Sequence, residues 1–245
     1  MVDLERHGKA ERQAGRNSFI STHGWADVAR IKAVLRRSPL LVRLNPLFDG
    51  SAAEVEQALA LGADRLMLPM FHTAADVQAF CALVNGRVPV VALLETREAL
   101  TALPQWLGTP GLQEVFVGLN DLHLSLGHQF MFQPLADGLL DAVAAQVHAQ
   151  DLRFGFGGIA RMDEGLLPGR AVLGEHLRLG SSGVIVSRTF QRSEAVQSFE
   201  DAVLALRHCE AVLARRTPAQ IEADRQHTVA TIRSLVPTLA PAPVT

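Results

Sequence analysis

Tyrosine is absent from this chain, which removes the phenolic general acid and the tyrosinate ligand from its chemistry. Cysteine is nearly absent: Cys81 and Cys209 are the only two. They stand far apart in helix-like stretches, so neither a disulfide framework nor a thiolate metal site is expected, and a reducing, cytoplasmic setting fits. No apolar run is long enough to span a bilayer, and residues 1–7 lack the long apolar segment of a signal peptide. Neither sign of charge is in excess. With 23 Lys plus Arg against 25 Asp plus Glu, the net charge of −2 gives no electrostatic case for nucleic acid or for a polybasic membrane contact. A soluble protein is the expectation.

Apolar residues are plentiful, at 48% of 245 positions, which is ample for the core of one large α/β domain. Short apolar runs alternate with helix-like stretches at a repeat near ~30 residues. Strands are expected at 40–44, ended by Asn45-Pro46, at 65–68, closed by Pro69, and at 90–94, 115–118, 154–158 and 183–187. Helices are expected over 24–36, 52–61, 74–84, 98–107, 139–149 and about 195–214. Such alternation demands parallel strands joined by right-handed crossovers. Counting the stub at 2–5, about seven strands are present, one short of a (β/α)8 TIM-type barrel. The expected fold is that barrel over 1–214, apparently lacking its first βα unit at the amino end, through a late start or as an open, partner-completed ring.

A helical extension is expected over 215–236. Thr217-Pro218-Ala219-Gln220 has the form of a capping box with proline at the first helical position. Its stripe of Ile221, Thr228, Ile232 and Leu235 would dock on the barrel or on a neighbouring subunit. The Pro/Ala-rich tail over 237–245 is expected to be disordered.

Two acidic residues sit at ends of apolar runs: Glu95 closes 90–94, and Asp121 follows 115–118 by three positions. Their separation of 26 residues, close to one βαβ repeat, predicts both at the carboxyl rim of the sheet. Two carboxylates meeting there can hold a hard divalent cation. Taken singly, Glu95 also reads as a helix amino-terminal acid and Asp121 as a turn residue or cap. Arg43, inside an apolar strand, requires a partner, and a salt bridge to Glu5 or Glu95 is the plain reading. His72, His123, His128 and His176 show no metal-ligand spacing and read as surface or cap residues.

Taken in order, several motifs resemble those of the HpcH/HpaI aldolase and citrate lyase β-subunit family, metal-dependent members of the phosphoenolpyruvate/pyruvate barrel superfamily. They are Asp3-Leu4-Glu5, Val42-Arg43-Leu44-Asn45-Pro46, Leu66-Met67-Leu68-Pro69-Met70, Leu94-Glu95-Thr96-Arg97-Glu98-Ala99-Leu100, and Gly118-Leu119-Asn120-Asp121-Leu122 with Leu126-Gly127. The resemblance implies Glu95 and Asp121 as ligands of Mg²⁺ or Mn²⁺, and Arg43 as the guanidinium that stabilises a pyruvate enolate. It implies backbone amides of Gly118, Leu119 and Asn120 as contacts of the substrate carboxylate. Glu5 and His7 are its acid–base candidates, with a metal-bound water an equal one.

Two departures stand out: Arg6 separates Glu5 from His7, which adjoin in the aldolase members, and the segment 71–88 is shorter than theirs. The implied reaction is cleavage of a 4-hydroxy-2-oxo acid into pyruvate, or a related 2-oxo acid, and an aldehyde, by a homo-oligomer. A citrate-lyase-like enzyme of acyl-coenzyme A thioesters is the first rival, and Arg161, Arg188 or Arg192 clustered at the rim would favour it. A barrel without catalysis, serving as a binding or assembly module, is the second.

Overall fold

A computed structural model describes residues 1–12, 21–191 and 198–239. The chain divides into two compact units, Met1–Phe116 and a second that begins at Val117.

The first unit holds β1 (Val2–Asp3), α1 (Lys9–Arg12), α2 (Trp25–Val34), β2 (Leu41–Arg43), α3 (Ser51–Ala60), β3 (Arg65–Leu68), α4 (Ala74–Val84), β4 (Val90–Leu94), α5 (Arg97–Thr101) and α6 (Leu103–Trp106). Strand order follows chain order, and β1 to β4 are parallel neighbours, with Asp3 opposite Arg43 and Leu66 opposite Val90. Every residue of β4 is buried, as expected of a parallel strand covered on both faces. Helix α4 starts where its sequence says. Thr73 Oγ1 accepts the Asp76 N–H at 3.2 Å, Asp76 Oδ2 accepts the Thr73 N–H at 2.9 Å, and Asn85 closes the helix at φ +50°.

The single helix expected over 98–107 is two. Pro104 lacks the N–H that a continuous helix would need, so the chain breaks at Ala102 between α5 and α6. The break seats Trp106 at 0% exposure, with its Nε1–H donating to the Ala99 carbonyl at 2.8 Å.

From β5 (Leu112–Val117) the chain enters the second unit, which holds α7 (Leu119–Ser125), α8 (Gln133–Ala136), α9 (Leu139–His148), β6 (Arg153–Ile159), α10 (Gly169–Arg178), β7 (Gly183–Val186), a 3-10 turn at Arg188–Gln191, α11 (Phe199–Leu213) and α12 (Pro218–Leu239). Strands β6 and β7 pair in parallel, with an irregular register between Gly155 and Gly158. The Phe-Gly alternation serves close approach here, because a Cβ on Gly157 would lie 2.8 Å from the Leu119 side chain. Helix α10 was hidden by its own glycines: a Cβ on Gly169 would fall 2.2 Å from the Ala160 carbonyl, so packing overrides the poor helix propensity of glycine.

The capping box of α12 forms, Thr217 N–H donating to Gln220 Oε1 at 2.8 Å and Gln220 N–H to Thr217 Oγ1 at 3.3 Å. Contrary to expectation, the helix does not stop before Pro237. It runs to Leu239, since a proline in the last turn forfeits only one hydrogen bond, and the rest of the tail, 240–245, lies outside the described residues. Thr228 and Ile232 are buried, and α12 packs on α8 and α10, so this stripe docks within its own unit. Among the described residues no helix is long and apolar enough to cross a membrane.

His176 is a core residue, not a surface one. It is 3% exposed and stacks flat on Phe156, with ring centroids 3.7 Å apart. Its Nδ1 lies 2.8 Å from Ser181 Oγ, and that hydroxyl donates to the Gly183 carbonyl, which makes Nδ1 the protonated nitrogen of a neutral ring. Burial pushes its pKa from 6.5 down to about 3. The unfolded chain therefore takes up a proton as pH falls through 6.5 while the folded chain refuses it until about 3, so stability drains away on acidification across that window. The slope reaches at most about 1.4 kcal/mol per pH unit. His176→Phe is expected to flatten the fall in Tm between pH 6.5 and about 4, and equal slopes in both proteins would refute a buried neutral imidazole.

Candidate active site

Arg43 ends β2 directly opposite Asp3, and cross-strand neighbours of this kind place their side chains together. Its Nε donates to Asp3 Oδ1 at 2.8 Å and its Nη2 to Asp3 Oδ2 at 2.6 Å, a two-point fork. Burial opposes the guanidinium charge, but the bond to Asp3 and the nearby charges of Glu5 and Glu95 outweigh it and raise the Arg43 pKa above its ordinary value. Desolvation likewise opposes the Asp3 carboxylate, yet Arg43 and Lys9 hold it well below the usual carboxylate range. The partner read from the sequence was Glu5 or Glu95. The structure gives Asp3 the grip, leaves Glu5 Oε2 at 3.5 Å from Nε, and makes Glu95 a neighbouring charge. Among the described residues, Arg43 Nη1 has no hydrogen-bond partner.

Glu5 is 1% exposed and both its oxygens are engaged, Oε1 by the Arg12 guanidinium and Oε2 by Lys9 Nζ at 3.2 Å. Lys9 also donates to Asp3 Oδ2 at 2.7 Å. His7 lies apart from this cluster, exposed and edge-on to Phe48 with centroids 4.5 Å apart. Asn45 fixes the turn that carries it: Oδ1 accepts the N–H groups of Arg6 at 2.7 Å and His7 at 3.0 Å, while Nδ2 donates to Glu54 at 2.6 Å. A residue just past β2 thus holds the loop leaving β1.

Glu95 follows β4 and is 4% exposed. It is not the cap of the next helix. Thr96 is, accepting the Ala99 N–H at 3.1 Å and donating to the Phe71 carbonyl at 2.8 Å. Glu95 Oε2 instead accepts the N–H of Met70 at 3.3 Å, and Met70 sits at φ +48°, a left-handed conformation uncommon for a non-glycine residue. Asp121, which taken singly reads as a turn residue or cap, occupies the first turn of α7 in the second unit, half-buried, where the helix dipole favours a negative charge. Gly118 precedes that helix. Leu119 is 1% exposed and packs over Gly157, whereas Asn120 is exposed.

A sequence profile of the HpcH/HpaI aldolase/citrate lyase family matches residues 1–151. The chain belongs to this family. Among its relatives, the (3S)-malyl-CoA thioesterase of Cereibacter sphaeroides strain KD131 is 29% identical over 191 residues, covering 76% of this chain and 64% of that one. The hydroxypyruvate/pyruvate aldolase of Rhizorhabdus wittichii strain RW1 is 26% identical over 144 residues, 45% of this chain and 57% of that one. The chain therefore spans less than two thirds of the length of either relative. Solved structures of similar fold include an HpcH/HpaI aldolase from Desulfitobacterium hafniense (TM-score 0.59, 16% identity, 89% of this chain and 93% of that one). Another is the citrate lyase β subunit of Mycobacterium tuberculosis complexed with oxaloacetate and magnesium (TM-score 0.54, 18% identity, 86% of each).

HpcH/HpaI folds of this kind are parallel α/β structures, and the donor set here can be tested against a metal. Among the described residues no group of three or more His, Cys, Asp or Glu is placed to hold an ion. Hard carboxylate oxygens, such as Glu95 brings in the first unit and Asp121 in the second, are the donor type suited to Mg²⁺ or Mn²⁺.

For a coenzyme A ligand the arginines of this HpcH/HpaI chain matter. Arg161 is 6% exposed and points its Nε and Nη2 at the carbonyls of Thr189 and Phe190, at 2.7 and 3.2 Å, so it braces the turn after β7. Arg188 is exposed, and Arg192 lies outside the described residues.

Proposed function

We propose that this HpcH/HpaI protein is a divalent-metal-dependent carbon–carbon lyase that cleaves a 4-hydroxy-2-oxo acid to pyruvate, or a related 2-oxo acid, and an aldehyde. The observation that carries the reading is the Arg43 guanidinium, gripped by Asp3 along one edge and left with Nη1 unpartnered among the described residues. Charge balance supports the metal. Around Arg43, the cations Lys9, Arg12 and Arg43 meet the carboxylates of Asp3, Glu5 and Glu95, so the cluster has no surplus for an anionic oxo acid. Glu95 and Asp121 would hold Mg²⁺ or Mn²⁺, which when bound supplies Lewis-acid polarisation of the keto oxygen.

The chain's own groups do the rest. Arg43 Nη1 donates to the oxygen on which enolate charge gathers, at a site that needs no reorganisation because Asp3 already fixes the fork. Backbone N–H groups of Gly118, Leu119 and Asn120 donate to the substrate carboxylate. Of the two acid–base candidates, His7 has an exposed ring able to exchange protons with solvent, whereas the Glu5 oxygens are engaged by cations. The proposal extends to a cytoplasmic homo-oligomer without nucleic-acid or membrane partners.

A thioester reading draws on the malyl-CoA thioesterase relative, but Arg161, one of the arginines it called on, braces its own backbone. Condensation assays separate the two: with Mg²⁺ or Mn²⁺, pyruvate and a panel of short aldehydes should give aldol products, and EDTA should stop them. Hydrolysis of an acyl-coenzyme A thioester without any aldol chemistry would transfer the case to the thioester reading. Metal binding with neither activity would favour a non-catalytic module.

A further inference from the structure

We propose that Asp3 and Lys9 are a positioning pair for Arg43. Asp3 fixes the guanidinium along one edge, and Lys9 offsets the charge of Asp3 so that the Nη1 corner keeps its pull on an anionic substrate. The inference rests on the reading of Arg43 as a substrate contact.

The geometry is specific. A single oxygen, Asp3 Oδ2, receives Arg43 Nη2 at 2.6 Å and Lys9 Nζ at 2.7 Å. An isolated Arg–Asp fork is neutral: its hydrogen bonds orient the guanidinium well, but a carboxylate only one group away cancels most of the field that an approaching anion would feel. A second cation on the same carboxylate restores that field. Lys9 does so twice over, because its ammonium also reaches Glu5 Oε2 at 3.2 Å, the oxygen that lies 3.5 Å from Arg43 Nε. Lys9 and Arg12 with Arg43 balance the carboxylates of Asp3, Glu5 and Glu95, so without Lys9 the cluster would turn a net negative charge toward the anion.

The position itself asks for no ammonium. Lys9 opens a helix of four residues and is 4% exposed. Lysine is among the residues least often buried, and an apolar side chain of similar length would fill the space without the desolvation cost of an ammonium. The charge is present for what it touches. A purely structural role, neutralising two buried carboxylates, makes a different prediction, since any change that preserves the fold would then leave ligand affinity alone.

The experiment uses the full chain with Mn²⁺ bound and titrates oxalate, a planar dianion shaped like the pyruvate enolate. Lys9→Met should weaken oxalate about tenfold or more while Mn²⁺ affinity stays within about twofold, and Lys9→Arg should restore most of the loss. Oxalate affinity equal to the wild type in Lys9→Met overturns the proposal. Should Lys9→Met fail to fold, the double variant Asp3→Asn with Lys9→Met removes both charges together. An oxalate affinity equal to the wild type there overturns the proposal as well, and a loss of about tenfold supports it. In the metal-free protein, the Arg43 Nε–H resonance should exchange slowly with solvent and should lose that protection in Asp3→Asn; protection retained would deny Asp3 its grip. A wild-type protein that takes Mn²⁺ but no oxalate would overturn the lyase reading, while the metal-free resonance still tests the positioning pair by itself.

Discussion

Arg43→Lys is expected to lower kcat by about 10²- to 10³-fold, the loss typical of removing one preorganised donor to a developing oxyanion. Lysine keeps the charge and loses the shape. One ammonium cannot hold Asp3 at two points, as Nε and Nη2 do at 2.8 and 2.6 Å, and also present a further donor to substrate. The substitution therefore separates charge from orientation. Arg43→Met removes both, and breaking a buried pair on one side is expected to cost about 3–5 kcal/mol of stability. Asp3 would still hold Lys9, which draws that figure toward its lower end. Steady-state kinetics of aldol condensation and thermal melts of the metal-free variants read the two effects. A lysine variant with the wild-type kcat would remove Arg43 from the reacting atoms and leave it as a strut between β1 and β2.

Much of the scaffold around Arg43 was legible because its signals are local. Pro69 directly follows β3, Thr73 and Asp76 start a helix, and Val90 to Leu94 is apolar at every position because β4 is buried throughout. These are contacts made within a few residues or imposed by complete burial. Where local signals conflict with packing, the sequence misleads. Glycine at 169 and 174 disguises α10, yet a Cβ at 169 would strike the Ala160 carbonyl, so the packing that demands glycine also erases the helix signal. The break at Ala102 follows from Pro104, which stands at the start of α6 and cannot supply the N–H of a continuous helix.

Partners across long separations were not legible. Asp3 and Arg43 are 40 residues apart, and nothing in either neighbourhood says which of several acids will face the guanidinium until β1 and β2 pair in register. Lys9 gave no signal because a lysine in a polar stretch is usually solvated, and its burial arises only when the chain after β1 folds back over the carboxylates. Met70 could be read as the end of a motif but not as a left-handed residue whose N–H meets Glu95. The burial of His176 is hidden in the sequence for the related reason that it is decided by Phe156, twenty residues upstream on another element.

Glu95→Gln is expected to weaken binding of Mg²⁺ or Mn²⁺ by at least about 100-fold, since loss of an outer-shell partner alone typically costs 10–100-fold. Activity should fall with it, while the melt of the metal-free protein should move by less than about 1 kcal/mol. Glutamine has the same shape, and its amide oxygen can still accept the Met70 N–H. The charge of Glu95 is one of several that support the Arg43 guanidinium, with Asp3 making the direct bonds, and its removal also relieves the desolvation of a buried carboxylate. Glu95→Ala supplies the contrast. It leaves a part-buried N–H on a residue already at φ +48° without its acceptor, a loss expected to cost about 1–3 kcal/mol. If the carboxylate serves a metal, both variants lose the ion and only alanine loses stability. If it is a structural counter-charge to Arg43, glutamine will destabilise the metal-free protein as much as alanine does, and the metal affinity of both will stay near the wild type.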